Sequence, residues 1–310
     1  MEGPLFYAKI LLFGEYGIIK DSKGLSIPYN YFNGSLKTSN KNLDAKQKKS
    51  HEKVKEFMCF LKSIDSKVVC FDWNKINTDV EKKIYFDSSI PQGYGIGSSG
   101  ALVAAVYNQY AKDKITVLEN LTKVKLLNLK SIFSQMESFF HGKSSGLDPL
   151  NSYLSLPILI NSIDNIESTG IPLQNMEGNG AVFLLDSGFA VNTAPMVNLF
   201  LENMKNESFN KMIKDQFIST TDLCVEDFLG GNYKNLFLHL KELSKLVFHN
   251  FKPMIPDQYK DLWLRGLNTN SYYLKLCGSG GGGYILGFTQ DWIKAQKELS
   301  GHNLQAIYQF

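Results

Sequence analysis

The order of apolar and polar residues predicts strands and helices in both halves of the chain. Apolar residues dominate 6–13, as in a buried strand. An apolar face formed by Val54, Phe57, Met58 and Leu61 predicts a helix after a lysine-rich surface segment. The same reasoning predicts further strands at 82–90, 152–160, 181–188, 272–278 and 284–288, and further helices at 98–113, 117–141, 195–217, 233–248 and 290–301. Strands and helices mixed in this way indicate the α+β class.

Weak periodicity near the middle of the chain predicts a domain boundary. Glycine, asparagine and serine become frequent between 161 and 180, as they do in connections between domains. A chain of 310 residues is also long for a single hydrophobic core. We therefore expect two domains, covering 1–170 and 171–310.

The composition is that of an ordinary globular protein. Apolar residues make up 44% and charged residues 20%, and the net charge of +3 is too small to indicate a dedicated nucleic-acid-binding protein. The four cysteines show neither metal-binding nor disulfide spacing, which favours a reducing compartment. The sequence has neither the features of a signal peptide nor an apolar stretch long enough to span a membrane. We expect a cytoplasmic protein with neither nucleic acid nor membrane as partner.

The stretch PQGYGIGSSGAL, residues 91–102, places glycines between a predicted strand and a predicted helix. Such a turn directs backbone N–H groups and a helix N-terminus at one point, which suits an anion. The alternative is a tight turn with Ser98 or Ser99 as the helix cap. The Walker A pattern is absent, whereas Gly95, Gly97 and Gly100 match a dinucleotide fingerprint that lies unusually far along the chain. The glycines alone therefore leave several ligands open.

Two further stretches favour one of these readings. KILLFGEYG at 9–17 and KLCGSGGGGYILGF at 275–288 stand before and after the glycine turn. Together with it they resemble, in order and spacing, the three motifs of the GHMP kinases (galacto-, homoserine, mevalonate and phosphomevalonate kinases). MESFFHGKSSGLD at 136–148 resembles the corresponding segment of the mevalonate kinase branch. The resemblance implies a two-domain GHMP kinase fold, with a ribosomal protein S5 domain 2-like N-terminal domain and a ferredoxin-like C-terminal domain.

The resemblance also implies the chemistry and the residues that carry it. The implied reaction transfers the γ-phosphoryl group of ATP to an alcohol and uses Mg²⁺. The implied catalytic residues are Asp148, as the base that accepts the hydroxyl proton, and Lys9, beside the carboxylate and the transferred phosphate. The implied ligand-binding residues are Gly93, Gly95, Gly97, Ser98, Ser99 and Gly100 for ATP, Ser99 and Glu137 for Mg²⁺, and Glu15, Tyr16, Gly280 and Gly281 for the acceptor. Glu15 could instead pair with Lys9.

The acceptor implied most directly is mevalonate, which would become 5-phosphomevalonate. The chain departs from the pattern where Tyr16 replaces a histidine, Gly100 an alanine and Val191 an arginine, and Tyr16 and Val191 bear most on acceptor recognition. Phosphomevalonate, a sugar and homoserine therefore remain alternative acceptors, and a catalytically silent, ligand-binding family member is a further alternative. We expect a monomer or a homodimer whose partner is a small-molecule alcohol.

Overall fold

The computed structural model describes residues 3–116 and 121–310, and the described chain divides into two compact units. Unit 1 comprises residues up to Lys9, Ile27–Pro91 and Gly97–Leu156. Unit 2 comprises Ile10–Ser26, Gln92–Ile96 and Pro157–Phe310. The units thus interleave along the sequence, and the expected domain division at residue 170 stays a prediction.

The helices and strands have the following bounds. The strands are β1 Phe6–Phe13, β2 Gly24–Lys37, β3 Tyr85–Ser88, β4 Ile158–Ser162, β5 Asn165–Ser168, β6 Ala181–Asp186, β7 Tyr273–Leu276, β8 Tyr284–Thr289 and β9 Leu304–Gln309. The α-helices are α1 Ala45–Leu61, α2 Trp73–Glu81, α3 Ser98–Tyr110, α4 Lys123–His141, α5 Leu147–Leu154, α6 Thr193–Asn203, α7 Glu207–Met212, α8 Ile218–Leu229, α9 Tyr233–Asn250, α10 Asp257–Thr269 and α11 Trp292–Glu298. A π-helical turn, Ile213–Phe217, connects α7 and α8.

Unit 1 packs helices α3, α4 and α5 around an aromatic cluster. The rings of Tyr107, Phe133 and Tyr153, one from each helix, meet edge-to-face with centroids 5.0–5.5 Å apart. Edge-to-face contacts of this kind add to the stabilisation from burial. The C-terminal half of β2 pairs antiparallel with β3 in the same unit. This packing fixes the N-terminus of α3 and the C-terminus of α4, where the candidate site lies.

Unit 2 contains an antiparallel sheet with the strand order β7-β8-β6-β9. Strand β6 lies between β8 and β9, and Ala181–Leu185 are buried because both edges and both faces of the strand are covered. Helices α9 and α10 pack against β7. The N-terminal end of β2 pairs with β4, and β4 pairs with β5. These strands belong to a second sheet with the strand order β1-β2-β4-β5.

Most predicted elements are confirmed, but two segments differ. The strand predicted at 152–160 is wrong over its first half, because α5 continues to Leu154 and β4 begins only at Ile158. Pro149 lies in the first turn of α5, where its missing N–H costs no helical hydrogen bond. The helix predicted at 195–217 is interrupted, forming α6, α7 and the π-helical turn.

Other differences concern elements without a clear pattern. The elements not predicted from the sequence are α2, α8, α10, β2, β5 and β9. The helix predicted to start near Val117 begins at Lys123, after residues 117–120, which lie outside the described part of the chain. Within that described part, no helix is both long and apolar enough to cross a membrane.

Candidate active site

Unit 1 joins Lys9 and Asp148 in an ion pair. Lys9 lies on β1 and is 4% exposed, and its Nζ is 2.8 Å from Asp148 Oδ1. The Asp148 side chain is 37% exposed, so the carboxylate is fixed by the lysine and still accessible. Asp148 lies in the first turn of α5, after the left-handed N-cap Gly146. A buried lysine in an apolar strand needs such a partner.

Two glycines of the glycine turn at 91–102 make room for this pair. Gly97 has φ +81°, and a Cβ there would lie 3.0 Å from Lys9 Cγ. A Cβ on Gly100 would lie 2.7 Å from the backbone of Asp148 and Pro149. Gly100 therefore permits α3 to approach α5 closely. A Cβ at this position would force the two helices apart here.

Helix α3 begins without a side-chain cap. Its N-cap is Gly97, in the left-handed conformation, so the expectation that Ser98 or Ser99 caps the helix is wrong. Ser98 and Ser99 occupy the first turn instead. The first backbone N–H groups of a helix have no intrahelical acceptor and carry the positive end of the dipole. With no side chain capping them, these groups suit a phosphate.

The Ser99 hydroxyl lies against two residues of α4. Its Oγ is 3.1 Å from Glu137 Oε1 and 3.1 Å from His141 Nε2. The other carboxylate oxygen of Glu137, Oε2, accepts a hydrogen bond from Ser144 Oγ at 2.5 Å. Ser99, Glu137, His141 and Ser144 thus form one hydrogen-bonded cluster in unit 1.

Glu137 is buried although it lies at the margin of the apolar face of its helix. It is 3% exposed, and this burial raises the pKa of Glu137 to about 8, with the charge of Asp148 acting in the same direction. Hydrogen bonds from Ser144 and Ser99 oppose the shift. A nearby divalent cation would favour the ionised carboxylate. A buried carboxylate that is destabilised without a cation is therefore consistent with a metal ligand.

The donors of the cluster fit Mg²⁺ better than a softer metal. A hydroxyl and a carboxylate are oxygen ligands, and Mg²⁺ usually takes few protein ligands beside waters and phosphates. The described residues contain no group of three or more histidines, cysteines and acidic residues arranged to hold a metal ion. Ser99 and Glu137 together offer one hydroxyl and one carboxylate of this kind.

His141 and Ser144 are members of this cluster that the sequence analysis did not single out. His141 ends the helix predicted at 117–141, and it is the last residue of α4. It also lies four residues after Glu137, a spacing that places both on one face of the helix. Burial lowers the pKa of His141, which favours the neutral imidazole. The four-residue spacing was the pattern that could have identified it.

In unit 2, Gly93 and Gly95 lie against the backbone of other loops. Both have positive φ, and a Cβ on Gly95 would lie 2.6 Å from the carbonyl oxygen of Cys277. The N–H of Val191 donates to the carbonyl of Gly93 at 3.1 Å. A Cβ on Gly283 would lie 2.6 Å from Tyr94 Cα. The second and third motifs are therefore in backbone contact, which only glycine permits at these positions.

Glu15 forms a buried ion pair in unit 2 with Lys275. Lys275 Nζ lies 2.5 Å from Glu15 Oε2, and the two side chains are 5% and 6% exposed. The same ammonium group donates to the carbonyl of Leu276 at 3.0 Å. Lys275 lies at the start of the third motif, yet the sequence analysis assigned it no role. The continuous apolar residues of β7 around it were the available indication that this lysine is buried and paired.

Tyr16 and the third-motif glycines also meet in unit 2. The Tyr16 hydroxyl donates to the carbonyl of Ser279 at 2.6 Å. Burial raises the pKa of Tyr16 above its usual value, so the phenol remains a donor. Gly280 and Gly281 follow with positive φ, and the N–H of Gly281 donates to the carbonyl of Met254 at 2.6 Å.

The predicted site residues are thus distributed over both units. Unit 1 contains Lys9, Gly97, Ser98, Ser99, Gly100, Glu137 and Asp148, whereas unit 2 contains Gly93, Gly95, Glu15, Tyr16, Gly280 and Gly281. The assigned roles of these residues stay predictions.

The comparisons with known proteins agree with the resemblance of the motifs. The family model of the GHMP kinases N terminal domain matches residues 64–155. That range includes the glycine-rich loop, Ser99, Glu137 and Asp148. No curated protein sequence matches the chain.

Solved structures are similar over nearly the whole chain. The L. major mevalonate kinase in complex with R-mevalonate has a TM-score of 0.64 at 16% identity, covering 100% of this chain and 96% of that chain. The Streptococcus pneumoniae phosphomevalonate kinase in complex with phosphomevalonate and AMPPNP has a TM-score of 0.61 at 13% identity, covering 98% and 99%. The Lactococcus lactis galactokinase complexed with galactose has a TM-score of 0.60 at 12% identity, covering 98% and 92%.

The protein thus has the two-domain α+β GHMP kinase fold. Residues 64–155 thus match the GHMP kinase N-terminal domain, and the chain as a whole shares its fold with the solved kinases. The fold does not distinguish between acceptors, since structures with three different acceptors resemble the chain to nearly the same degree.

Proposed function

We propose that the protein is an ATP- and Mg²⁺-dependent kinase that phosphorylates a small-molecule alcohol, and that the alcohol is mevalonate. The observation that carries the proposal is the pair of Lys9 and Asp148. A lysine that is almost fully buried holds a partly exposed carboxylate at 2.8 Å. A fixed, accessible carboxylate is what a base for a hydroxyl group requires.

In this proposal the residues divide the work between them. Asp148 accepts the proton of the acceptor hydroxyl at a carboxylate oxygen, and Lys9 holds that carboxylate in place and stabilises developing negative charge. Ser99 and Glu137 hold Mg²⁺, and the first N–H groups of α3 bind phosphate oxygens. Gly93, Gly95 and Gly97 provide the loop conformation.

Bound ATP supplies the phosphoryl group, and Mg²⁺ neutralises charge on the phosphates. The acceptor oxygen forms the new bond to the γ-phosphorus, the bond from that phosphorus to the bridging oxygen breaks, and ADP leaves. The contribution of the protein is therefore mainly positioning and charge stabilisation.

Mevalonate is proposed as the acceptor because the segment 136–148 resembles the corresponding segment of the mevalonate kinase branch. The segment contains both Glu137 and Asp148, eleven residues apart, together with His141 and Ser144. These four residues lie in or beside one cluster in unit 1.

The test is ADP release with a panel of mevalonate, phosphomevalonate, galactose and homoserine, against a reaction without acceptor. Mevalonate-dependent release that requires Mg²⁺ is the expected result. Turnover with another member but not with mevalonate would contradict the acceptor and leave the reaction type standing. ATP binding without turnover of any member would favour a catalytically silent protein.

A further inference from the structure

Tyr16 has a backbone conformation that is rare for a large side chain. Its φ of 61° and ψ of −39° lie in the left-handed half of conformational space, and the N–H of Gly17 donates to the carbonyl of Glu15 at 2.7 Å. A hydrogen bond across one central residue with positive φ defines a γ-turn of the rare, strained kind. Strain of this kind persists only where the surroundings impose it, and it is concentrated at functional sites.

The surroundings of Tyr16 do impose it. The ring packs against Phe200 and Phe251, with centroids 4.7 Å and 5.7 Å away, and the residue is 6% exposed. The preceding residue, Glu15, is held by its ion pair with Lys275. The hydroxyl is held by the carbonyl of Ser279, a residue 263 positions away in the sequence. Two side chains of the γ-turn are thus attached to the third motif.

The hydrogen bond to Ser279 has a consequence for the next residue. In a trans peptide the C=O and the following N–H point in opposite directions, and no described peptide bond is cis. Because the Ser279 carbonyl points at the Tyr16 hydroxyl, the N–H of Gly280 points away from the aromatic cluster. The N–H of Gly281 is directed to the Met254 carbonyl. The direction of the Gly280 N–H thus follows from the direction of the Ser279 carbonyl, which accepts from Tyr16.

We propose that Tyr16 is a positioning residue, whose hydroxyl fixes the peptide between Ser279 and Gly280 so that the Gly280 N–H can donate to an oxygen of the acceptor. This rests on the proposed kinase function. In this proposal the backbone of Gly280 contacts the acceptor. The side chain of Tyr16 does not, because it lies in a buried cluster. Tyr16 then acts on the acceptor only through the third-motif loop.

The test compares Tyr16→Phe with a matched control, Tyr272→Phe. Each substitution keeps the ring and deletes one hydroxyl that donates to a backbone carbonyl, at 2.6 Å for Tyr16 and 2.8 Å for Tyr272. Tyr272 is 1% exposed, and its acceptor is the carbonyl of Leu262, which is not part of the motifs. The two variants therefore lose similar hydrogen bonds at different places in unit 2.

The first measurement is hydrogen–deuterium exchange, which needs no substrate. We expect the amides of 278–283 to exchange about threefold to tenfold faster in Tyr16→Phe, the range for loss of one hydrogen bond. The same amides should be unchanged in Tyr272→Phe. Equal exchange in the two variants would overturn the positioning role, whether or not the protein is a kinase.

The second measurement is steady-state kinetics with an acceptor that the wild-type protein phosphorylates. Tyr16→Phe should raise the KM for the acceptor by roughly threefold to tenfold and change the KM for ATP by less than about twofold. An unchanged acceptor KM, or equal effects on both substrates, would overturn the role toward the acceptor. Absence of wild-type turnover with every alcohol would contradict the proposed function, and the exchange result would still decide whether Tyr16 positions the loop.

Discussion

The Asp148 carboxylate is held on one side and open on the other. Lys9 contacts Oδ1, while 37% of the side chain is exposed. The backbone of α5 adds rigidity, because Asp148 lies in its first turn, where a negative charge is favoured by the helix dipole. These conditions suit a proton acceptor that must meet a substrate hydroxyl repeatedly in the same geometry.

We therefore expect Asp148→Asn to lower kcat by at least roughly 10²-fold, the scale of a general-base contribution, while nucleotide binding is retained. An amide keeps the size of the side chain but cannot accept the proton. The measurement is ADP release under saturating substrates, with nucleotide affinity measured separately by calorimetry. Asp113→Asn, at an exposed position in the same unit, is the control. Turnover close to that of the control would remove Asp148 from the role of base.

Glu137 provides a second residue-scale prediction, on metal binding. Burial makes ionisation of its carboxylate unfavourable without a cation, although two hydroxyl groups donate to it. Mg²⁺ should therefore raise the melting temperature of the wild-type protein in the presence of ADP, since a ligand that binds only the folded state stabilises it. Glu137→Gln should lose most of this increase because a neutral amide is a weaker ligand.

The measurement is thermal unfolding with and without Mg²⁺ at a constant ADP concentration. The control is Glu81→Gln, at an exposed position at the end of α2, which should keep the full increase. An undiminished Mg²⁺ effect in Glu137→Gln would mean that the cation is held elsewhere.

At the scale of elements, the contact between α3 and α5 determines where Asp148 lies. Gly100 is the point of closest approach, since a Cβ there would lie 2.7 Å from two backbone atoms. An alanine usually stabilises a helix by about 0.5–1 kcal/mol relative to glycine. Overpacking against backbone costs about 1–3 kcal/mol, and backbone cannot move aside as a flexible side chain can. The clash should therefore outweigh the gain in helix propensity.

Gly100→Ala should accordingly lower the free energy of unfolding by about 1–2 kcal/mol and also reduce kcat, because α5 carries Asp148. Urea denaturation and ADP release measure the two effects. Gly170→Ala is the control, since a Cβ at Gly170 would have no neighbour within 4 Å. A variant as stable and active as this control would show that α3 and α5 have room for a methyl group.

The elements that could be predicted from the sequence are those with a clear period. The helix face of Val54, Phe57, Met58 and Leu61 is buried as expected, because one helix face packs on the core. Helix α5 was mistaken for the start of a strand, since a short apolar run with a proline suits either element. Its eight residues contain too few turns to show a helical period.

Only those residues of the candidate site that lie in recognisable sequence motifs could be predicted. Asp148 and Glu137 were found through their spacing and the resemblance, and the structure places both beside the N-terminal turn of α3 within unit 1. Lys275 was missed because its partner lies 260 positions away, and such a pairing leaves no periodic trace. Ser144 was missed because it lies beyond the end of α4, where the helical period no longer applies. The positive φ of Tyr16 could not be foreseen either, since tyrosine gives no indication of a left-handed conformation.

At the scale of the whole molecule, contacts in unit 2 connect the two ends of the sequence. Glu15 and Lys275 are 260 positions apart and form a pair that is nearly inaccessible to water. A buried ion pair contributes little net stability, but removing one partner leaves an uncompensated charge in the interior. Replacing one member of the pair should therefore lower the stability of the protein far more than replacing both.

We expect Lys275→Met to lower the free energy of unfolding by about 3–5 kcal/mol, and Glu15→Gln with Lys275→Met to lower it much less, because the double variant buries no unpaired charge. Urea denaturation of both variants and of Glu15→Gln alone completes a double-mutant cycle, whose coupling energy isolates the pair. The control is Lys205→Met, which removes a solvent-exposed pair with Glu202 and should change stability by less than about 1 kcal/mol. A double variant as unstable as Lys275→Met would contradict this. The loss of stability would then come from lost packing around β7 and not from an unpaired buried charge.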